Sequence, residues 1–202
     1  GLLAVKSWTT HELVQQVDCS LRRFWPRTRS KLYEEPRKLV AHGFARASDD
    51  PVGRRRRTRY TITPKGRRAL AAWVREPGEG PVLEFEQLLK ISFADSGTKA
   101  DLLANLEATR RWVLAENEEN LATARAYLEG RGRFPERAAL NQLAGRFLTD
   151  FYVMVARWQT WATEMVEDWP DDVRSAPFDE VAQLEGVRLA EGIAELLGDE
   201  PE

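Results

Sequence analysis

Cysteine is nearly absent from this chain: Cys19 stands alone among 202 residues. A lone thiol makes no internal disulfide, and a reducing, cytoplasmic address is the expectation. Long hydrophobic runs are missing too. No stretch approaches the roughly 20 apolar residues that cross a bilayer, which excludes a membrane-spanning role. The apolar opening Leu2, Leu3, Ala4 and Val5 stops at Lys6, too early for the core of a secretory signal. Only two histidines occur, His11 in a helix-capping region and His42 at a helix stop, and Cys19 has no basic neighbour beyond Arg22 and Arg23. With no Gly-rich phosphate loop and no metal-ligand spacing, neither catalysis nor a metal or other cofactor is expected. The carboxylates of Glu116, Glu118 and Glu119, and of Glu167 and Asp168, read as solvated helix faces rather than acid/base pairs. Internal repeats and low-complexity tracts are lacking as well.

What the chain does have is charge, unevenly placed. It is 43% apolar and 31% charged with a net charge of −2, suited to one or two globular domains with a sizeable core. Up to Gly78 there are 18 lysines and arginines against 7 acidic residues, a balance of +11. Beyond it the count is 12 against 25, a balance of −13. A basic module joined to an acidic one suits nucleic-acid binding, because phosphate repels the second and attracts the first. The boundary falls on Glu76-Pro77-Gly78-Glu79-Gly80-Pro81, which has no apolar residue and reads as a linker.

Ahead of the linker, a Thr three residues before Glu12 forms a capping-box pattern, and Leu13, Val14 and Val17 follow at helical spacing. A helix over about 10–21 is predicted. Leu32, Tyr33, Pro36, Leu39 and Val40 predict a second, stopped at His42-Gly43 and opening on Arg27, Arg29 and Lys31. Phe44 to Ala47 and the β-branched run Arg59 to Thr63 predict two short strands around a basic turn. Pro64 then opens a third helix with Leu70, Trp73 and Val74 on one stripe. Helix, helix, basic hairpin, helix is the order of a winged helix-turn-helix.

Behind the linker everything reads as helix. Phe85, Leu88, Leu89 and Phe93 suggest a short one, and Thr98 caps a long one to about Glu129 with Leu102, Leu106, Val113, Leu121 and Leu128 expected on its inner side. The most regular pattern in the chain follows Pro135. Leu140, Ala144, Phe147, Phe151, Met154, Trp158, Trp161 and Met165 alternate spacings of four and three, a heptad seam on a helix of about thirty residues, roughly 45 Å long. Trp169-Pro170 ends it, and a last amphipathic helix over about 178–197 carries Val181, Leu184, Leu189, Ile193 and Leu196. The expected fold is therefore mainly α with a small β-hairpin wing: a winged helix-turn-helix over 1–75, a linker over 76–81 and an all-α domain over 82–202.

The segments Thr10-His11-Glu12-Leu13, Ser30-Lys31-Leu32-Tyr33, Leu39 to Ala45 and Arg59-Tyr60-Thr61-Ile62-Thr63-Pro64-Lys65-Gly66 resemble the PadR family of bacterial transcriptional regulators. The resemblance covers about residues 1–75 well. From Glu84 to about Arg111, Phe85 to Ile91 is similar to the family's approach to its C-terminal domain, and beyond that only helix length and order match. It implies a dimeric repressor whose winged helix binds operator DNA and whose C-terminal helices make the homodimer. Two departures stand out. Only the last turn of the family's first helix, Gly1 to Val5, is present, so the numbering is expected to start inside that helix. Pro36 replaces a usual leucine in the recognition helix, and a mid-helix proline, costing about 3 kcal/mol unless the backbone relaxes, predicts a kink near Leu32 and Tyr33.

On this reading a helix enters the major groove of double-stranded DNA by its first turns, so Arg27, Thr28, Arg29, Ser30 and Lys31 are the candidate base and phosphate contacts. Tyr33 matches a tyrosine typical of the family and presents its hydroxyl to DNA, or else packs as a core aromatic beside Leu32. Arg54, Arg55, Arg56 and Arg57, with Arg59, form the densest charge in the chain and are candidate wing contacts, or else a solvated tip. The acidic half is left to dimerise and to sense. Phe147, Phe151, Met154, Trp158 and Trp161, with Trp112 on the preceding helix, form either a core or dimer interface or a pocket for a small aromatic effector of the kind the family responds to. The rival reading is a winged-helix module that binds a protein partner or RNA instead of an operator.

Overall fold

The computed structural model describes residues 1–26, 28–50 and 57–198; of Arg29 and Asp50 it describes the backbone alone. Arg27, Arg54, Arg55 and Arg56, all candidate DNA contacts, lie outside the described residues. The chain forms two compact units, Gly1–Val82 and Leu83–Glu202. No helix among the described residues is long and apolar enough to cross a membrane.

The first unit runs α1 (Leu2–Val5), β1 (Trp8–Thr9), α2 (Thr10–Ser20), α3 (Arg29–Ala41), β2 (Ala45–Asp50), β3 (Arg57–Ile62) and α4 (Pro64–Arg75). The capping box of α2 closes in both directions: the Glu12 amide donates to Thr9 Oγ1 at 3.3 Å and the Thr9 amide donates to Glu12 Oε2 at 2.7 Å. Leu3, Trp8, Leu13, Val14, Ala45 and Tyr60 form its buried core. The three strands are antiparallel in the order β1-β3-β2, with Trp8 opposite Tyr60, Thr9 opposite Arg59 and Ala45 opposite Ile62. The hairpin follows the sequence pattern; β1 is an addition, two residues long and too short to show a period.

Helix α3 is continuous through Pro36, which sits on the buried face with the half-buried Leu32, Leu39 and Val40 around it. Its end is a Schellman motif. Gly43 takes φ +72°, the Phe44 amide donates to Leu39 O at 2.8 Å and the Gly43 amide to Val40 O at 2.9 Å. Onto this cap folds the Thr63-Pro64-Lys65-Gly66 exit of β3. Thr63 Oγ1 donates to Gly43 O at 2.7 Å and accepts the Gly66 amide at 3.0 Å, while Lys65 Nζ donates to His42 O at 2.8 Å. A Cβ on Gly66 would lie 2.1 Å from Phe44 O, so glycine is what lets α4 approach that backbone.

The second unit contains α5 (Glu86–Ile91), α6 (Lys99–Leu128), α7 (Ala138–Glu167) and α8 (Glu180–Leu197), with short 3-10 turns at Ala94–Ser96, Pro135–Arg137 and Val173–Ser175. α6 and α7 form a long hairpin whose core is Leu102, Leu106 and Val113 against Leu148, Tyr152, Val155, Ala162 and Val166. Leu121 and Leu128 do not belong to it. They are exposed, Leu128 at 89%, because they lie past the reach of the buried stripe of α7, which begins at Leu148. Asn120 Nδ2 donates to Thr149 Oγ1 at 2.8 Å where the apolar packing stops.

Both ends of the hairpin are fastened. At the tip Asn141 Nδ2 donates to Tyr127 Oη at 2.6 Å, and Tyr127 Oη in turn donates to Arg133 O. At the base Thr98 and Asp101 close a second capping box. Beside it Lys99 Nζ donates to Glu167 O at 2.7 Å and Trp169 O at 2.6 Å, placing a cation on the carbonyls that end α7.

Candidate functional site

The outward face of α3 carries the candidate contacts. Burying Leu32, Pro36, Leu39 and Val40 turns Ser30, Lys31, Tyr33 and Arg37 to solvent. Thr28 is the N-cap residue, exposed, with its Oγ1 3.1 Å from Ser30 Oγ. Tyr33 is 47% exposed and not a core residue. Farther along, Glu34 and Glu35 lie 3.9 and 3.0 Å from Lys38 Nζ, so cation and acid compensate there. Lys31 is exposed in the first turn, and the partial positive charge of the helix N-terminus adds to it there.

In the hairpin, Arg57 opens β3 with its side chain exposed. Arg59 is differently held. Its Nη1 donates to Ser7 O at 3.2 Å and lies 3.5 Å from Glu12 Oε2. The hydroxyls of Ser7 and Thr61 are 2.7 Å apart next to it. The Glu12 carboxyl is held below its ordinary value chiefly by the backbone amide of Thr9, with the Thr9 hydroxyl and the charges of Arg59 and Lys6 acting the same way against partial desolvation. It is thus an anion at neutral pH. No charge pattern marked Glu12 as part of a basic unit's working parts; the capping-box spacing was its one visible trace.

In the second unit, α7 carries two apolar stripes one residue apart. The inner one, Leu148, Tyr152, Val155, Ala162 and Val166 with Gln159, packs in the hairpin. The heptad seam lies beside it and divides by its two registers. Leu140, Phe147, Met154 and Trp161, seven residues apart, are exposed. Phe151, Trp158 and Met165 are half-buried.

Two of these half-buried residues join an aromatic cluster. Trp112 lies with ring centroids 6.3 Å from Phe151, 6.0 Å from Tyr152 and 6.0 Å from Phe85, and Phe85 lies 6.3 Å from Trp158. Edge-on and tilted rings at such spacings are ordinary favourable aromatic contacts. Of the six candidates for effector or dimer contact, Trp112, Phe151 and Trp158 come together here and Phe147, Met154 and Trp161 do not. Phe85 and Tyr152 complete the cluster, and nothing in their spacing reveals it, because they arrive from the approach to α5 and from the inner stripe of α7.

No family model matches the chain. The probable transcriptional regulator Rv1176c of Mycobacterium tuberculosis is 30% identical over 177 residues, covering 82% of this chain and 88% of that protein. Among solved structures, Bacillus subtilis PadR in complex with operator DNA matches with a TM-score of 0.69 and 19% identity over 82% of this chain and 95% of that one. The same protein in complex with p-coumaric acid matches with a TM-score of 0.64 and 18% identity over 83% and 95%. The PadR-like transcriptional regulator BC1756 from Bacillus cereus matches with a TM-score of 0.68 and 16% identity over 83% and 94%.

Proposed function

The chain belongs to the PadR family of DNA-binding transcriptional regulators, and from that premise we propose that it is a homodimeric repressor whose first unit holds operator DNA and whose second unit dimerises and senses a small aromatic molecule. The carrying observation is the solvent-facing start of α3, where Thr28, Ser30 and Lys31 are exposed and the sequence places Arg29 in the same turn. Tyr33 and Arg57 extend that surface, as do Arg27, Arg54, Arg55 and Arg56 in the sequence. Acidic residues keep the second unit off the duplex. The deciding experiment is a binding titration with the duplex upstream of the protein's own gene beside a random duplex of equal length, at several salt concentrations. Selective, salt-dependent binding is the expected result. Equal affinity for both, or for neither, favours a module that binds protein or RNA.

The exposed register of the α7 seam supports the homodimer: Leu140, Phe147, Met154 and Trp161 present one apolar line that the described residues leave exposed. Replacing Phe147 and Trp161 together by serine is expected to give a monomer in sedimentation velocity, since buried aromatic anchors at an interface contribute about 2 kcal/mol or more each. A dimer that survives the double change moves the interface elsewhere.

The aromatic cluster of Phe85, Trp112, Phe151, Tyr152 and Trp158 supports the effector. An effector releases DNA only through different affinities for the binding and non-binding arrangements of the dimer. Titrating p-coumaric acid and related phenols against tryptophan emission is expected to quench Trp112 and Trp158 and to weaken DNA binding in parallel. Silence across the panel leaves the cluster as packing alone.

A further inference from the structure

Arg59 stands in the strand that leaves the arginine run, yet its geometry separates it from the run. Along β3, Tyr60 is buried against Trp8, whereas Arg59 and Thr61, on the opposite side of the strand, reach the chain entering α2. Arg59 pairs across the sheet with Thr9, the N-cap residue of α2. Its guanidinium meets Ser7 O and the Oε2 atom of Glu12, and that same oxygen accepts the Thr9 amide. One carboxylate therefore serves two elements at once, closing the capping box of α2 and facing the cation of the wing's return strand.

We propose that Glu12 and Arg59 form a latch that sets the wing against α2, so that Glu12 is an acidic positioning residue for DNA binding and Arg59 holds the strand rather than a phosphate. The proposal rests on the DNA-binding reading above and gives a sign that simple electrostatics does not. Removing an acid from a basic DNA-binding unit ordinarily strengthens binding to any duplex. If Glu12 works through Arg59, removing its charge weakens binding instead.

Glu12→Gln isolates this effect, because glutamine also serves at the third position of a capping box and leaves α2 capped. Titrated with the duplex upstream of the gene, E12Q is expected to bind about fivefold more weakly than the natural chain at an unchanged salt slope. R59Q should match it, R59K should recover most of the loss, and the E12Q/R59Q double variant should be no worse than either single one. Trypsin supplies a readout that needs no DNA, since Arg54 to Arg57 are among its cleavage sites and the fragments cut there are identified by mass. E12Q and R59Q should both be cut there faster than the natural chain, and R59K at nearly the natural rate. E12Q binding as tightly as the natural chain or more so, R59Q flattening the salt slope by about one unit, or unchanged cleavage in both variants would each overturn the latch. If the natural chain binds neither duplex, the DNA-binding reading falls and the cleavage rates alone decide the latch.

Discussion

Alanine at Arg54, Arg55, Arg56 and Arg57 together is expected to weaken binding to every duplex, specific and random alike, and to flatten the log-log salt slope by about three to four units. The reason is counterion release. Each arginine seated on a phosphate frees nearly one condensed cation, so four such contacts contribute a steep, sequence-independent dependence on salt. Four adjacent guanidinium groups repel one another in the free protein, and a phosphate backbone or a narrow minor groove removes that repulsion. At physiological salt the loss should amount to about two to three orders of magnitude in affinity. Selectivity between the upstream duplex and a random one should change far less if the start of α3 reads the bases as proposed. A slope that stays where it was would take the wing off the DNA. The expected contrast with Arg59 is direct: replacing the quartet should change the salt slope, and replacing Arg59 should leave it unchanged.

The second large effect is on stability. Gly66→Ala is expected to cost the winged unit about 2–4 kcal/mol, a large part of what holds a small domain folded. The added Cβ would meet Phe44 O at 2.1 Å, Phe44 C at 2.9 Å and Ile62 Cγ1 at 3.0 Å. Two of these atoms are backbone, in the residue that accepts the Thr63 amide, and none is the free end of a flexible side chain. Relief requires moving α4 off the cap of α3, which breaks the Thr63, Lys65 and Gly43 contacts as a group. Chemical denaturation of the full chain reads the loss. Gly145→Ala is the control: inside α7 its Cβ meets nothing within 4 Å, so the change should stabilise by about 0.5–1 kcal/mol. A Gly66 variant as stable as the natural chain would mean that the close approach is not maintained in solution.

The helices and the hairpin were legible because their signals are local. The Thr9 to Glu12 and Thr98 to Asp101 pairs, the Gly43 stop and the Thr63-Pro64 start each act within one turn of chain. What stayed hidden needs a partner distant in sequence. β1 is two residues whose only cause is the edge of β3. Pro36 argues against a helix by propensity, yet α3 runs on through it with the ring buried, packing overriding the local cost. Leu121 and Leu128 continue an apolar stripe and are exposed all the same, since periodicity names a face without naming what covers it. The two stripes of α7 carry the same heptad spacing, and which of them packs on α6 is decided only when α6 folds back. Arg59 was hidden by its neighbours in the arginine run; strand alternation and the register with Thr9 set it apart.

The clasps at the two ends of the α6/α7 hairpin bear on its mechanics. A helix ordinarily loosens from its termini, where carbonyls and amides lack partners. Here the base is closed by Lys99 on the carbonyls of Glu167 and Trp169, and the tip by Tyr127, Asn141 and Arg133. Asn105 Nδ2, donating to Gln87 O at 2.8 Å, adds α5 to the same body. With both ends held by hydrogen bonds, a push at the tip near Gly130 is expected to reach α5, roughly 45 Å of helix away, as tilt of the hairpin more than as fraying of its ends.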